Sequence, residues 1–135
     1  MNHKRIFIVM LAALLPLLAA CQTPADSRAQ FCRGLRGLAP AVTQLAEGKD
    51  AANAGALKQQ LTLFRDQLSL VVSQAAQSPS LSLDNLIQSL EAFETQVRAL
   101  PDAMPIQQAM ASVKEAAGRF EREYQAIASA VCAAE

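Results

Sequence analysis

PIQQAMASVKEAAGRFEREYQAIASAV, residues 105–131, carries its larger apolar side chains at Ile106, Met110, Val113, Phe120, Tyr124, Ile127 and Val131, with Ala117 completing the row. The steps alternate between four and three, which keeps the row on one side of a helix and repeats it every seven residues. Pro105 suits the first helical position, where a missing N–H is no loss. At about 1.5 Å per residue the helix is roughly 42 Å long. The same reading works backwards along the chain. Leu83, Leu86, Leu90, Phe93, Val97 and Leu100 form a second stripe, with Ser82 as the expected N-cap and Asp84 in the first turn. Pro101 and Pro105 bracket the turn between these two helices. Leu57, Leu61, Phe64, Leu68, Val71 and Ala75 form a third stripe over residues 54–76, closed by Gln77-Ser78-Pro79-Ser80.

The first helix is the weakest. Its stripe is Phe31, Leu35, Leu38, Val42 and Leu45, but Gly34 and Gly37 each cost about 1 kcal/mol relative to alanine. Pro40 lacks an N–H and clashes one turn back, so the spacing predicts either a kinked helix or two short collinear ones. Glu47-Gly48-Lys49-Asp50 reads as a turn. No segment alternates with period two, and four singly striped helices bury their stripes only against one another. The expected fold is all-α: an up-down-up-down antiparallel four-helix bundle with its first helix kinked at Pro40.

The chain begins MNHKRIFIVMLAALLPLLAAC, residues 1–21. A basic head (His3, Lys4, Arg5) precedes an apolar run from Ile6 to Ala20. That run is shorter than the roughly 20 residues of a spanning helix and contains Pro16, so it reads as a secretion signal. Its end, Leu18-Ala19-Ala20-Cys21, resembles the lipobox of bacterial lipoprotein precursors. The resemblance implies cleavage before Cys21, diacylglycerol on its sulfur and acylation of its amine. Two or three chains give a stable membrane anchor, since each buried methylene contributes about 0.8 kcal/mol. An uncleaved anchor and cleavage before an unlipidated Cys21 are the other readings. In lipoproteins generally, Asp after the lipidated cysteine favours inner-membrane retention. Here the residue is Gln22, which implies the outer membrane, facing the periplasm. Partners implied are the membrane and the lipoprotein maturation and sorting machinery. The chain divides into a signal peptide at 1–20, a lipidated N-terminus and tether at 21–30, and a bundle at 31–135.

Lipidation of Cys21 leaves two of the three cysteines. In an oxidising compartment a Cys32–Cys132 disulfide is expected; two separate buried thiols are the alternative. An up-down-up-down bundle brings both positions to one end, so topology and cysteine count agree. The mature chain of 115 residues holds 10 basic and 12 acidic groups, which argues against nucleic acid as a partner.

Catalytic signatures are absent from the sequence. The one histidine, His3, leaves with the signal, so no imidazole serves as a base or metal ligand in the mature chain. No G-x-S-x-G or S-x-x-K accompanies a serine, and a zinc site would need carboxylates alone. No cofactor is expected. Glu91 and Glu94 share a helix face, as solvated surface pairs commonly do, and Glu121 and Glu123 carry no pattern either. The expectation is a non-enzymatic protein. Two surface features stand out. Leu63 and Leu70 lie one heptad apart and away from the core seam, as a contact surface for a partner or as part of a helix rotated to bury more than one seam. Arg28, Arg33 and Arg36 stand near the lipidated end, facing anionic head groups or plain solvent. Gln60, Gln67 and Gln74 form an uncharged flank with no function attached. The leading expectation is an envelope lipoprotein that binds or helps assemble another envelope protein. Its build resembles that of small helical lipoproteins such as the pilotins of type II secretion, in architecture and not in any motif. The alternative is a structural or protective lipoprotein of the exclusion, immunity or stress type.

Overall fold

The computed structural model describes residues 24–76 and 82–132. The signal at 1–20, Cys21, Gln22 and the turn at 77–80 lie outside them. Four helices follow in order: α1 Pro24–Glu47, α2 Ala54–Ala75, α3 Asp84–Arg98 and α4 Ile106–Cys132. They form a four-helix bundle without strands among the described residues. α1 packs against α4 and α2, and α3 packs chiefly along α4. The cross-links run antiparallel: Cys32 to Cys132, Leu35 to Tyr124, and Arg65 to Glu94.

All six stripe residues of α2 are buried, as are Leu83, Leu86, Leu90, Phe93 and Val97. At the centre, Phe64 of α2, Phe93 of α3 and Phe120 of α4 meet. Phe64 and Phe120 pack edge to face at 5.4 Å, and Phe93 lies 6.0 Å from Phe120. Such aromatic pairs contribute about 0.5–1.5 kcal/mol beyond area burial. On α4, Ala109 and Ala116 join the buried set, where small side chains let neighbouring helices approach.

Two boundaries differ from expectation, and one of two open alternatives for α1 falls. α1 begins at Pro24, so residues 24–30, expected as tether, are its first two turns. Pro24 and Asp26 suit a helix start, and Arg28 donates to the Val131 carbonyl of α4 at 2.7 and 2.9 Å, which fastens these turns without an apolar stripe. α1 also runs as one helix with Pro40 inside it, so the two-helix alternative falls. Pro40 has no N–H for the Arg36 carbonyl, and its exposed ring faces away from the core. At the second boundary, Leu83 and not Ser82 is the N-cap of α3. Leu83 is buried in the core, which fixes the entry to the helix, and the Ser82 hydroxyl instead meets Asp84 at 3.1 Å.

The end opposite the disulfide is sewn by its loops. α1 stops at Gly48, φ +65°, with Lys49 N–H donating to the Gln44 carbonyl at 2.8 Å and Gly48 N–H to that of Leu45 at 3.2 Å. This is the paired closure of a Schellman motif. α2 starts with every early N–H satisfied. Ala54 and Gly55 donate to the Met104 and Asp102 carbonyls, and Ala56 to the Asn53 side chain. Ile106 N–H returns to the Ala52 carbonyl. Lys58 clamps the same loop through the Leu100 carbonyl at 2.7 Å and Asp102 at 2.6 Å.

The glycines of α1 and its cap make a stability test. A Cβ at Gly48 would lie 2.6 Å from Met110 Cγ at an unfavourable φ, whereas one at Gly37 meets nothing within 4 Å. Gly37→Ala is expected to raise stability by about 0.5–1 kcal/mol and Gly48→Ala to lower it by more than about 1 kcal/mol, both read from thermal melting.

Candidate functional site

Two regions hold the sequence-derived site residues: the disulfide end and the face shared by α1 and α2. At the first, Cys32 and Cys132 are joined as a disulfide with their Cα atoms 5.6 Å apart, a separation inside the usual range. Both residues are buried. α4 has no basic residue in its last turn. Its final carbonyls are met from α1: Arg28 at Val131, and Arg36 at Cys132 at 3.5 Å. Basic groups stabilise a helix C-terminus by about 0.3–1 kcal/mol each. Two of the three arginines expected to face head groups or solvent therefore serve the bundle itself. One turn further in, the buried Tyr124 hydroxyl donates to the Leu35 carbonyl at 2.5 Å.

At the second region, Leu63 and Leu70 are 64% and 67% exposed, the only large apolar side chains so exposed among the described residues. The alternative of a rotated α2 that buries them is thus excluded. Leu63 lines a cleft of about 170 Å³ between the two helices, together with Ala41, Gln44, Gln60 and Gln67. Gly34 lies beside Val71 and Gln74. No Asp, Glu, Lys or Arg lines this cleft. Depletion of charge marks the core of protein–protein interfaces. The amide oxygens of Gln60 and Gln74 are buried with no donor among the described residues, so the uncharged flank holds two unpaired acceptors.

The carboxylate pair divides. Glu91 is exposed, but Glu94 is only 4% exposed and sits between Arg98 at 3.2 Å and Arg65 at 3.3 Å. Its place at the α2/α3 seam, next to a cleft of about 200 Å³, corrects the solvated-surface reading. The carboxylate is matched by two guanidinium groups, which gives it a structural task. The signal for this was the two arginines one turn away on α3 and across the seam on α2, but sequence alone did not pair them. Among the described residues no three potential metal-ligating side chains cluster, and no helix is long and apolar enough to cross a membrane.

No protein-family model, curated protein or solved structure matches this chain.

Two outcomes test the disulfide end. With the bridge reduced, or in Cys132→Ser, the amides of residues 31–38 are expected to lose hydrogen-exchange protection before those of α2 and α3. Uniform protection along α1 would show the bridge to be dispensable. Tyr124 is the chain's one tyrosine and there is no tryptophan, so tyrosinate absorbance reports on it alone. Burial raises its phenol above the ordinary value. The folded state then holds the proton more tightly than the unfolded one. Its contribution is complete below about pH 10 and is lost as pH rises through the folded-state value. Tyr124→Phe should abolish that alkaline loss while costing about 1 kcal/mol at neutral pH for the missing hydrogen bond.

Proposed function

We propose that this chain is a small, non-enzymatic lipoprotein of the bacterial envelope. It is anchored through lipid on Cys21 at the outer membrane, faces the periplasm, and binds or helps assemble another envelope protein. The observation that carries the reading is the pair of exposed leucines, Leu63 and Leu70, the first of them lining a cleft without charged residues. Burying two leucines in a partner contributes about 1.5–3 kcal/mol each, enough to make them the energetic centre of a small interface.

The rest of the molecule supports this reading. The sequence of residues 1–21 has the order of a lipoprotein signal. The Cys32–Cys132 bridge suits an oxidising compartment. Cys21 lies three residues before α1, and the disulfide fastens that end of α1 to α4, so the anchor would be followed at once by rigid structure. An anchor so close to the bundle would keep the α1/α2 face within reach of other proteins of the same membrane.

Crosslinked pull-down of the full chain from intact envelopes tests the role. One dominant partner, lost in Leu63→Lys/Leu70→Lys with thermal melting unchanged, is the expected result. An abundant envelope protein with no partner would retire the docking role in favour of a structural or protective one. Metabolic labelling with palmitate tests the anchor separately: label is expected in the wild type and absent from Cys21→Ser.

A further inference from the structure

The cleft of about 200 Å³ on the α2/α3 seam combines an apolar floor with a polar rim. Leu61 and Val97, both buried stripe residues, form the floor. Lys58 and Thr62 of α2 and Arg98 of α3 form the rim, with the buried Glu94 carboxylate between them. That carboxylate is used on one side only. The contacts from Arg65 and Arg98 both end on Oε2. Oε1 has no partner among the described residues, yet it is not sealed off and keeps accessible surface. The rest of the side chain is buried, so the way to Oε1 is through the cleft that Glu94 lines. A carboxylate oxygen accepts hydrogen bonds and donates none.

Donors stand beside it. Arg98 is exposed and spends one contact on Glu94, out of the five N–H groups of a guanidinium. Lys58 gives two of its N–H groups to the Leu100 carbonyl and Asp102, which leaves the third. Charge then narrows the ligand. The lining holds two cations and one anion, so a cation meets net repulsion. An anion is repelled by Oε1 at the point where it would bind. A neutral group that donates and accepts at one end satisfies both sides, and a primary carboxamide is such a group. Volume narrows it further. A cavity of about 150 Å³ holds benzene, so this cleft holds an amide with a short aliphatic chain.

We propose that the α2/α3 cleft binds a primary carboxamide carried on a short aliphatic body. The amide N–H bonds Glu94 Oε1, the amide oxygen accepts from Arg98, and the chain lies on Leu61 and Val97. The site is on a different seam from Leu63 and Leu70 and rests on neither the docking role nor the anchor. A free amide and the glutamine side chain of a peptide present the same chemistry.

Butyramide is titrated into the full-length chain in detergent micelles, with leucine and valine methyls labelled for NMR. The expected result is a saturable shift of the Leu61 and Val97 methyls, with a dissociation constant on the order of millimolar for so small a ligand. 2-Pentanone keeps the shape and the carbonyl but has no N–H, and is expected to bind about tenfold more weakly. Butyrate and butylammonium are expected to produce no saturable shift. Glu94→Gln offers an N–H to the cleft once its oxygen meets the arginines, so the preference for amide over ketone should vanish. Thr62 is exposed and its hydroxyl bonds only the Lys58 carbonyl of its own helix, so Thr62→Phe should keep the melting temperature and block the shift. Acetyl-Ala-Gln-Ala-methylamide separates the sources: tighter binding than butyramide assigns the site to a peptide glutamine, weaker binding to a free amide. Failure of both to bind overturns the proposal. So does equal binding of amide and ketone by the wild type, or butyramide binding that survives Thr62→Phe.

Discussion

The bundle depends on the closure of α1 onto α4. α1 is a poor helix by composition. Two internal glycines and one proline cost it about 5 kcal/mol relative to alanine. The disulfide spans a sequence separation of 100 residues and supplies about 4–5 kcal/mol in the chain-entropy model. The Tyr124 hydrogen bond and the two arginine contacts each add about 1 kcal/mol or less. These opposing terms are of equal size, so α1 is held as a helix by its attachment and not by its own propensity. The benefit is mutual, because Arg28 and Arg36 complete a helix end that α4 does not cap for itself.

The two ends of the bundle are fixed by different physics. At one, covalent and charged contacts join α1 to α4. At the other, backbone hydrogen bonds between residues 52–55 and 102–106 tie the two loops together, and Gly55 approaches Asp102 closely enough that a Cβ would lie 3.2 Å from the Asp102 Cβ. Between them the Phe64–Phe120 contact couples diagonal helices. Register is thus set at both ends and at the centre.

What was legible follows from the same distinction. The seven-residue rhythm predicted the buried face of α2 residue by residue, because burial of a stripe is a local property read at fixed spacing. The cysteine pairing was legible because an up-down-up-down bundle brings positions 32 and 132 to the same end. Partnerships across the chain were not. Nothing local in Arg28 announces a carbonyl 103 residues away. Glu94 was read with Glu91 as surface, although its rotation around α3 differs enough to place it at the seam between two arginines. The start of α1 was missed because residues 24–30 carry no apolar rhythm; their order comes from capping and from Arg28.

Gly34 and Gly37 sharpen the case for the α1/α2 face. Gly34 has an internal reason: a Cβ there would press on Val71 and Gln74 at 3.1 Å, so its absence lets the two helices approach. Gly37 has none. It lowers the stability of an already weak helix by up to about 1 kcal/mol relative to alanine, and the bundle gains no contact in exchange. The same helix pair exposes two leucines that the core does not use. A hollow and two projections on one face, each unfavourable or idle for the isolated fold, have a common explanation if the face is covered by another surface.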